Sequence, residues 1–182
     1  MTLSECCHNQ RPAGTLLPQE EAAFSLLEEL QIPYDRVSGD AADTMEKCAI
    51  VSEALGASIH KNLFLCNRQK TNFYLLVLPA DKPFHTKDLS AQIGSSRLSF
   101  APEEELWNLL HCTPGSATVL GLMNDTENRV RLLLDADVAA NPNFTCHPCI
   151  CTSSLKFRTE DLLHKILPHI HHEAELVRLP DT

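Results

Sequence analysis

Three thiols and an imidazole crowd into Cys146-His147-Pro148-Cys149-Ile150-Cys151, the densest group of metal-binding or nucleophilic side chains in the chain. Cys146 and Cys149 stand in C-x-x-C spacing, which lets two thiolates reach one zinc ion. A structural zinc site needs a second pair, which Cys6-Cys7-His8 or His169, His171 and His172 could supply. Against this, alternate residues of a strand face opposite ways, so an adjacent Cys and His do not converge on one ion. The P-C-x-x-C and H-x-E pairing of zinc deaminases is also missing. The same geometry weakens a cysteine nucleophile activated by His147. Thiols packed near a turn are the plainer reading, with no metal expected. His169, His171 and His172 read as a solvated helix end, where cationic side chains complement the dipole.

Other reaction chemistries leave no trace. There is no G-x-x-x-x-G-K-[ST] loop and no G-x-G-x-x-G, so nucleotide phosphates have no ready cradle. No G-x-S-x-G elbow presents a serine nucleophile. Two quieter features remain. Lys61 opens an apolar run, which fixes its ammonium at a strand edge, although a lone lysine there is usually just a solvated charge. Thr113-Pro114-Gly115-Ser116-Ala117-Thr118 is a tight turn of small residues, able to present backbone N–H groups to a carbonyl or carboxylate.

The elements that must position these groups follow from periodicity. The first 16 residues read as a polar tail. A helix begins after Leu17, with Pro18 at its first position, Glu20 and Glu21 at its positive end, and a stripe of Phe24, Leu27 and Leu30. Residues 34–37 read as a short strand. Asp43 and Glu46 have capping-box spacing for a second helix that ends at Gly56. Residues 62–66 and 73–78 are apolar runs flanking a polar turn, a hairpin. Short helices are expected at 86–93 and 102–110, strands at 117–120, 130–134, 152–157 and 174–179, and a long helix from Thr159 to Leu167. Hairpins alternating with short helices, with no linker after residue 16, give one α+β domain over 17–182.

Composition bounds the rest. A chain of 182 residues, 43% hydrophobic and 21% charged, can bury a proper core. Its net charge of −9 argues against coating long nucleic acid or an anionic membrane by bulk charge. A local basic patch stays open to it. No apolar run is long enough to span a membrane, and the first ten residues lack a signal-peptide core. A cytoplasmic protein with reduced thiols is the expectation.

Five strings, read in order, resemble one family. They are Lys61-Asn62-Leu63-Phe64-Leu65, the run from Gly94 to Ala101, Thr113-Pro114-Gly115-Ser116, the run from Gly121 to Asp125, and His147-Pro148 with Thr152-Ser153-Ser154. In this spacing they are similar to the prolyl-tRNA editing proteins, the YbaK/ProX-type aminoacyl-tRNA deacylases, over nearly the whole chain from about Gln19 to Leu179. The resemblance implies a mixed, largely antiparallel sheet surrounded by helices. It implies hydrolysis of the ester joining a wrong amino acid to the terminal adenosine of tRNA(Pro), with alanyl-tRNA(Pro) as the expected substrate. A non-catalytic relative that binds tRNA or a synthetase is the alternative.

The same resemblance supplies the site. Lys61, Gly115 and His147 match the catalytic positions, while Ser116, Thr118, Arg97 and Cys151 fall on the substrate side. No metal and no cofactor are implied. Partners are the tRNA(Pro) acceptor end and prolyl-tRNA synthetase, with neither DNA nor membrane. A patch of Lys61, Arg68, Lys70 and Arg97 would have to offset the net negative charge. Two positions depart from the family pattern: Val119 replaces the proline that closes the glycine loop, and Cys151 replaces an asparagine, which removes an amide from the pocket rim.

Overall fold

The computed structural model describes residues 1–182. In chain order it contains β1 (Cys7–His8), α1 (Pro18–Glu29), β2 (Asp35–Ser38), α2 (Met45–Leu55), β3 (His60–Cys66), β4 (Phe73–Pro79) and α3 (Thr86–Ile93). There follow β5 (Ser99–Phe100), α4 (Glu103–Leu110), a 3-10 helix (Val119–Asn124), β6 (Val130–Asp135), α5 (Ala136–Ala140), β7 (Asn143–Cys146) and β8 (Ser153–Arg158). A closing helix runs as α6 (Thr159–Asp161), a π stretch (Leu162–Ile166) and α7 (Leu167–His169), before β9 (Ala174–Val177). No helix is long and apolar enough to cross a membrane.

The expected mixed sheet is divided into two. A four-stranded antiparallel sheet has the order β1-β2-β8-β7, and a five-stranded sheet has the order β5-β3-β4-β6-β9. In the latter β3 pairs antiparallel with β4 and β5, while β4–β6 and β6–β9 are parallel. The β4 run is apolar throughout because both its faces are covered. Phe73, Leu75 and Val77 join the main core, with Phe144 and Phe157 from the other sheet and Phe24 and Leu27 from α1. Tyr74, Leu76 and Leu78 join a second core with Leu89 of α3 and Leu98. The small third cluster, Val37, Val51 and Leu55, seats α2 on the four-stranded sheet.

Several local expectations change. The first 16 residues do not trail free: Cys7 and His8 pair with Arg36 and Asp35, and Leu3 bridges Gly39. Helix α2 is capped by Thr44, whose Oγ1 accepts from the Lys47 amide at 3.2 Å, while Asp43 pairs with the Lys47 ammonium. Residues 117–120 form no strand. Thr118 caps the 3-10 helix there, its Oγ1 accepting from the Leu120 amide at 3.3 Å. Gly121 then meets the Leu110 carbonyl so closely that a Cβ would lie 2.7 Å from it. His169 and His171 are exposed, but His172 is buried, with Nε2 3.0 Å from Asp125 Oδ2 and Nδ1 2.8 Å from the Ile170 carbonyl. Gly56 and Gly94 end α2 and α3 in left-handed conformation, as read from the sequence.

Candidate active site

Strand β3 starts at the open edge of the five-stranded sheet, because β5 pairs only with Leu65 and Cys66 at its far end. That leaves His60, Lys61 and Asn62 facing α2 and the loop between β7 and β8. A cleft of about 200 Å³ opens here. Lys61, Gly115 and His147 all line it, brought from three distant segments. Ala42, Cys48, Val51, Ile59 and Ala117 supply an apolar wall. A second cavity of about 340 Å³ continues past Cys48, Ile59 and His60.

The Lys61 ammonium donates a hydrogen bond to the Lys82 carbonyl. Two of its three N–H donors stay uncommitted. The turn that carries this carbonyl is itself anchored. Lys82 Nζ lies 3.0 and 3.1 Å from the two oxygens of Asp135, 2.8 Å from Asp137 Oδ2 and 3.5 Å from Asp181 Oδ1. Burial pulls the Lys82 pKa down, but the hydrogen bonds to Asp137 and Asp135 outweigh it and hold the ammonium above its ordinary value.

His147 follows β7, and its ring Nδ1 is 2.7 Å from the Ser153 carbonyl. A carbonyl only accepts, so we assign the ring proton to Nδ1, which leaves Nε2 with its lone pair. Burial lowers the His147 pKa, only partly countered by that hydrogen bond, so the ring is neutral. An unprotonated Nε2 accepts a proton or hydrogen bond from a hydroxyl or water. His60 is neutral for the same reason, with burial pulling it down to about 4. It packs against Phe144, and its Nδ1 lies 3.4 Å from Thr145 Oγ1.

The glycine turn is braced from below. The Ser116 amide donates to the Thr113 carbonyl at 2.9 Å, and Ser116 Oγ bonds both the amide and the carbonyl of Thr113. Gly115 takes φ +86°, which other residues rarely adopt. The Gly115 and Ala117 amides have no acceptor within the chain. Unpaired amides at the wall of a cleft are the donors an ester carbonyl or its oxyanion needs.

The remaining sequence-predicted residues lie apart from the cleft. Ser116 and Thr118 are fully buried and spent on local bracing, so their side chains do not line it. Cys151 sits in the loop between β7 and β8, outside the lining residues. Arg97 is exposed beyond α3, near the opposite end of β3. Val119 is buried at the start of the 3-10 helix. Conversely, Asn62, Cys48 and Ser154 line the cleft although no motif gives any of them a role in a site. Asn62 had a signal in its place beside Lys61, and its buried Oδ1 has no partner.

The cysteine cluster forms no site. Burial pushes Cys146 up to about 12, and a hydrogen bond with Cys112 together with burial raises Cys149. Neither is a thiolate at neutral pH. No three His, Cys, Asp or Glu side chains converge where a metal ion would sit.

The fold and this cleft define an α+β domain with an ammonium, two neutral imidazoles and a glycine turn around a small pocket. Residues 40–165 match the family model of the aminoacyl-tRNA editing domain, and the chain belongs to that family. It is 30% identical over 143 residues to the prolyl-tRNA editing protein ProX of Acetoanaerobium sticklandii, covering 79% of this chain and 87% of that one. It is 28% identical over 139 residues to the prolyl-tRNA synthetase associated domain-containing protein 1 of Danio rerio, covering 75% of each. A solved structure of a proposed trans-editing enzyme for prolyl tRNA synthetase superposes with TM-score 0.67 at 16% identity, over 91% of this chain and all of the other, which supports the shared fold.

Proposed function

We propose that this protein is a trans-editing hydrolase that removes a small, wrong amino acid, alanine first, from tRNA(Pro). The observation that carries this reading is the convergence of Lys61, Gly115 and His147 on one cleft. In the reaction, water adds to the ester carbonyl and the carbon–oxygen bond to the terminal ribose breaks. Free amino acid and a ribose hydroxyl result. The Gly115 and Ala117 amides hold the carbonyl oxygen as negative charge develops on it. His147 Nε2 accepts a hydrogen bond from the attacking water or the neighbouring ribose hydroxyl, and Lys61 binds the anionic end of the tRNA. An aminoacyl ester is labile, so positioning and oxyanion stabilisation suffice without a nucleophilic triad. The apolar wall suits a small aliphatic side chain, and exclusion of proline here would supply the discrimination that a synthetase's own binding pocket cannot achieve. The enzyme acts in the cytoplasm, where charged tRNA is found.

The test is turnover at substoichiometric protein on alanyl-, cysteinyl-, seryl- and prolyl-tRNA(Pro). We expect rapid loss of alanyl-tRNA(Pro), prolyl-tRNA(Pro) spared, and a fall of about 100-fold or more in Lys61→Ala. No turnover of any species sinks the enzyme reading. A second reading, a non-catalytic synthetase-binding protein, draws support from the name of the Danio rerio relative. Binding to tRNA(Pro) or prolyl-tRNA synthetase without turnover would favour it.

A further inference from the structure

Helix α2 carries part of the cleft wall on a thin seat. It has 11 residues, and helices shorter than about 12–15 residues hold their shape only through packing. Of those residues only Val51 and Leu55 are buried, while Met45 and Ile50 face outward. The seat is Val37 of β2, and partly buried Leu3, Cys6, Ala42 and Ile59 close the cluster around it. Three members of this cluster, Ala42, Val51 and Ile59, also line the cleft. Cys48 of α2 lines it too, its Sγ donating to the Ala42 carbonyl at 3.6 Å. The wall is therefore one side of an apolar layer that also contains Leu3 and Cys6, which do not line the cleft.

The segment that brings in Leu3 and Cys6 is fastened at both ends. The Thr2 amide donates to Asp40 Oδ2 at 2.9 Å, and the Asp40 amide returns a bond to the Thr2 carbonyl at 3.2 Å. The Ser4 amide donates to the Ser38 carbonyl at 2.7 Å. Further on, Asn9 Oδ1 accepts from the Tyr34 amide at 2.8 Å, and the Gln10 carbonyl accepts from Arg36 Nε at 2.7 Å. A polar route to α2 runs beside the apolar one. His8 Nδ1 bonds Asp35, whose Oδ2 lies 3.2 Å from Lys156 Nζ. That ammonium donates to the Leu55 carbonyl at 2.6 Å, a cation at the negative end of the helix. Covering the open edge of β2 needs backbone pairing alone. Leu3, Cys6 and His8 go beyond that, because each leads to α2.

We propose that residues 2–8 are a strap that sets the width of the cleft, with Leu3 and Cys6 as positioning residues for the wall of Ala42, Val51 and Ile59. The inference rests on the editing reading only for what the cleft holds. With the strap's side of the layer weakened, α2 loses packing on one face and the wall moves outward. A pocket that tells substrates apart by a methylene does so by about 10- to 200-fold, so a small outward movement is felt as lost discrimination.

The test compares the whole wild-type chain with Leu3→Ser/Cys6→Ser, and with Leu3→Met as the conservative variant. In the double variant, hydrogen–deuterium exchange should quicken about tenfold at residues 51–55 and stay unchanged in β4 and β6. Alkylation of half-buried Cys48 by iodoacetamide, followed peptide by peptide, should quicken by about the same factor, with fully buried Cys66 unlabelled. On charged tRNA(Pro), the ratio of kcat/KM for the alanyl over the prolyl species should fall about tenfold or more. Leu3→Met should match the wild type in all three. If the double variant does not fold, Leu3→Ala carries the same readouts. Wild-type exchange in α2, or faster exchange spread equally over β4 and β6, overturns the strap. A loosened α2 that leaves the Cys48 rate or the alanyl-to-prolyl ratio unchanged overturns its control of the cleft. Wild-type protein that deacylates nothing, while exchange and Cys48 labelling change as stated, keeps the strap and ends the enzyme. Turnover by the wild type with α2 indifferent to the variants does the reverse.

Discussion

Lys82→Met removes the cation that holds three carboxylates together beside the cleft, and its cost can be worked from the contacts. Asp135 is fully buried, and with Lys82 gone its charge loses its only ionic partner. Breaking a buried pair by deleting one side costs about 3–5 kcal/mol. Asp135 keeps two backbone donors, the Asp137 amide at 3.0 Å and the Leu179 amide at 3.1 Å, so the lower end applies, about 3 kcal/mol. For a chain of this length that is a fall of about 6–12 °C in Tm. The double variant Lys82→Met/Asp135→Leu should recover most of the loss, because no charge is left stranded. The pH dependence has a definite sign. The Lys82 pKa is raised by folding, so its contribution is fully present below the unfolded value of 10.5 and fades only as pH climbs through the higher folded value. The difference between wild type and Lys82→Met should therefore be flat from pH 6 to about 9. Urea denaturation followed by far-UV circular dichroism measures it. A single variant within about 1 kcal/mol of wild type, or a double variant no better than the single one, refutes the reasoning.

Three further outcomes follow from the site. His60 falls from 6.5 unfolded to about 4 folded, so below pH 6.5 the unfolded chain binds the extra proton and stability drops, by up to about 3 kcal/mol at pH 4; His60→Gln should flatten that part of the urea-denaturation profile. Gly115→Ala meets no atom within 4 Å but must hold φ +86°, so it should cost about 1 kcal/mol of stability in a thermal melt and lower deacylation turnover more than tenfold by moving the amides. Because burial keeps His147 neutral, turnover should hold steady as pH falls past 6.5, and a sharp decline already at pH 7 would contradict a lone pair at Nε2.

What the sequence revealed depended on how local the cause was. The β3–β4 hairpin, β6 and the glycine ends of α2 and α3 rest on apolar runs and single residues, and they stand where expected. The 3-10 helix was hidden because Ala117-Thr118-Val119-Leu120 carries a strand-like composition. Its shape comes from the Thr118 cap and from Gly121 packing on the Leu110 carbonyl, a contact across the chain. The anchoring of the first residues was hidden for the same reason, since β1 exists only by borrowing the edge of β2. At the site, Lys61, Gly115 and His147 are separately unremarkable residues. Only their order within a family pattern joined them, and topology supplies the rest by setting the free edge of β3 against two loops. Cys48 and Ser154 join that wall through tertiary packing alone, which no spacing could reveal.

One residue, Lys82, both satisfies the acidic cluster and holds Lys61, and this division of labour bears on catalysis. Its side chain engages Asp135, Asp137 and Asp181, while its carbonyl accepts from Lys61. Were Lys82 neutral, the same carboxylates would stand unpaired around the turn whose carbonyl Lys61 holds. Lys61 would then turn from the cleft toward buried Asp135, because an unpaired buried carboxylate attracts a cation more strongly than a carbonyl does. The protein would keep its lysine and lose the free cation. Lys82→Met should thus depress kcat/KM for the charged tRNA even at a temperature where the variant is fully folded, mainly through a higher KM, because the interaction lost is with the anionic end of the substrate. Lys82→Arg, which still satisfies the carboxylates, should restore both KM and Tm. A folded Lys82→Met with wild-type KM would mean that Lys61 is held by β3 alone, and that the ion cluster serves stability and nothing else.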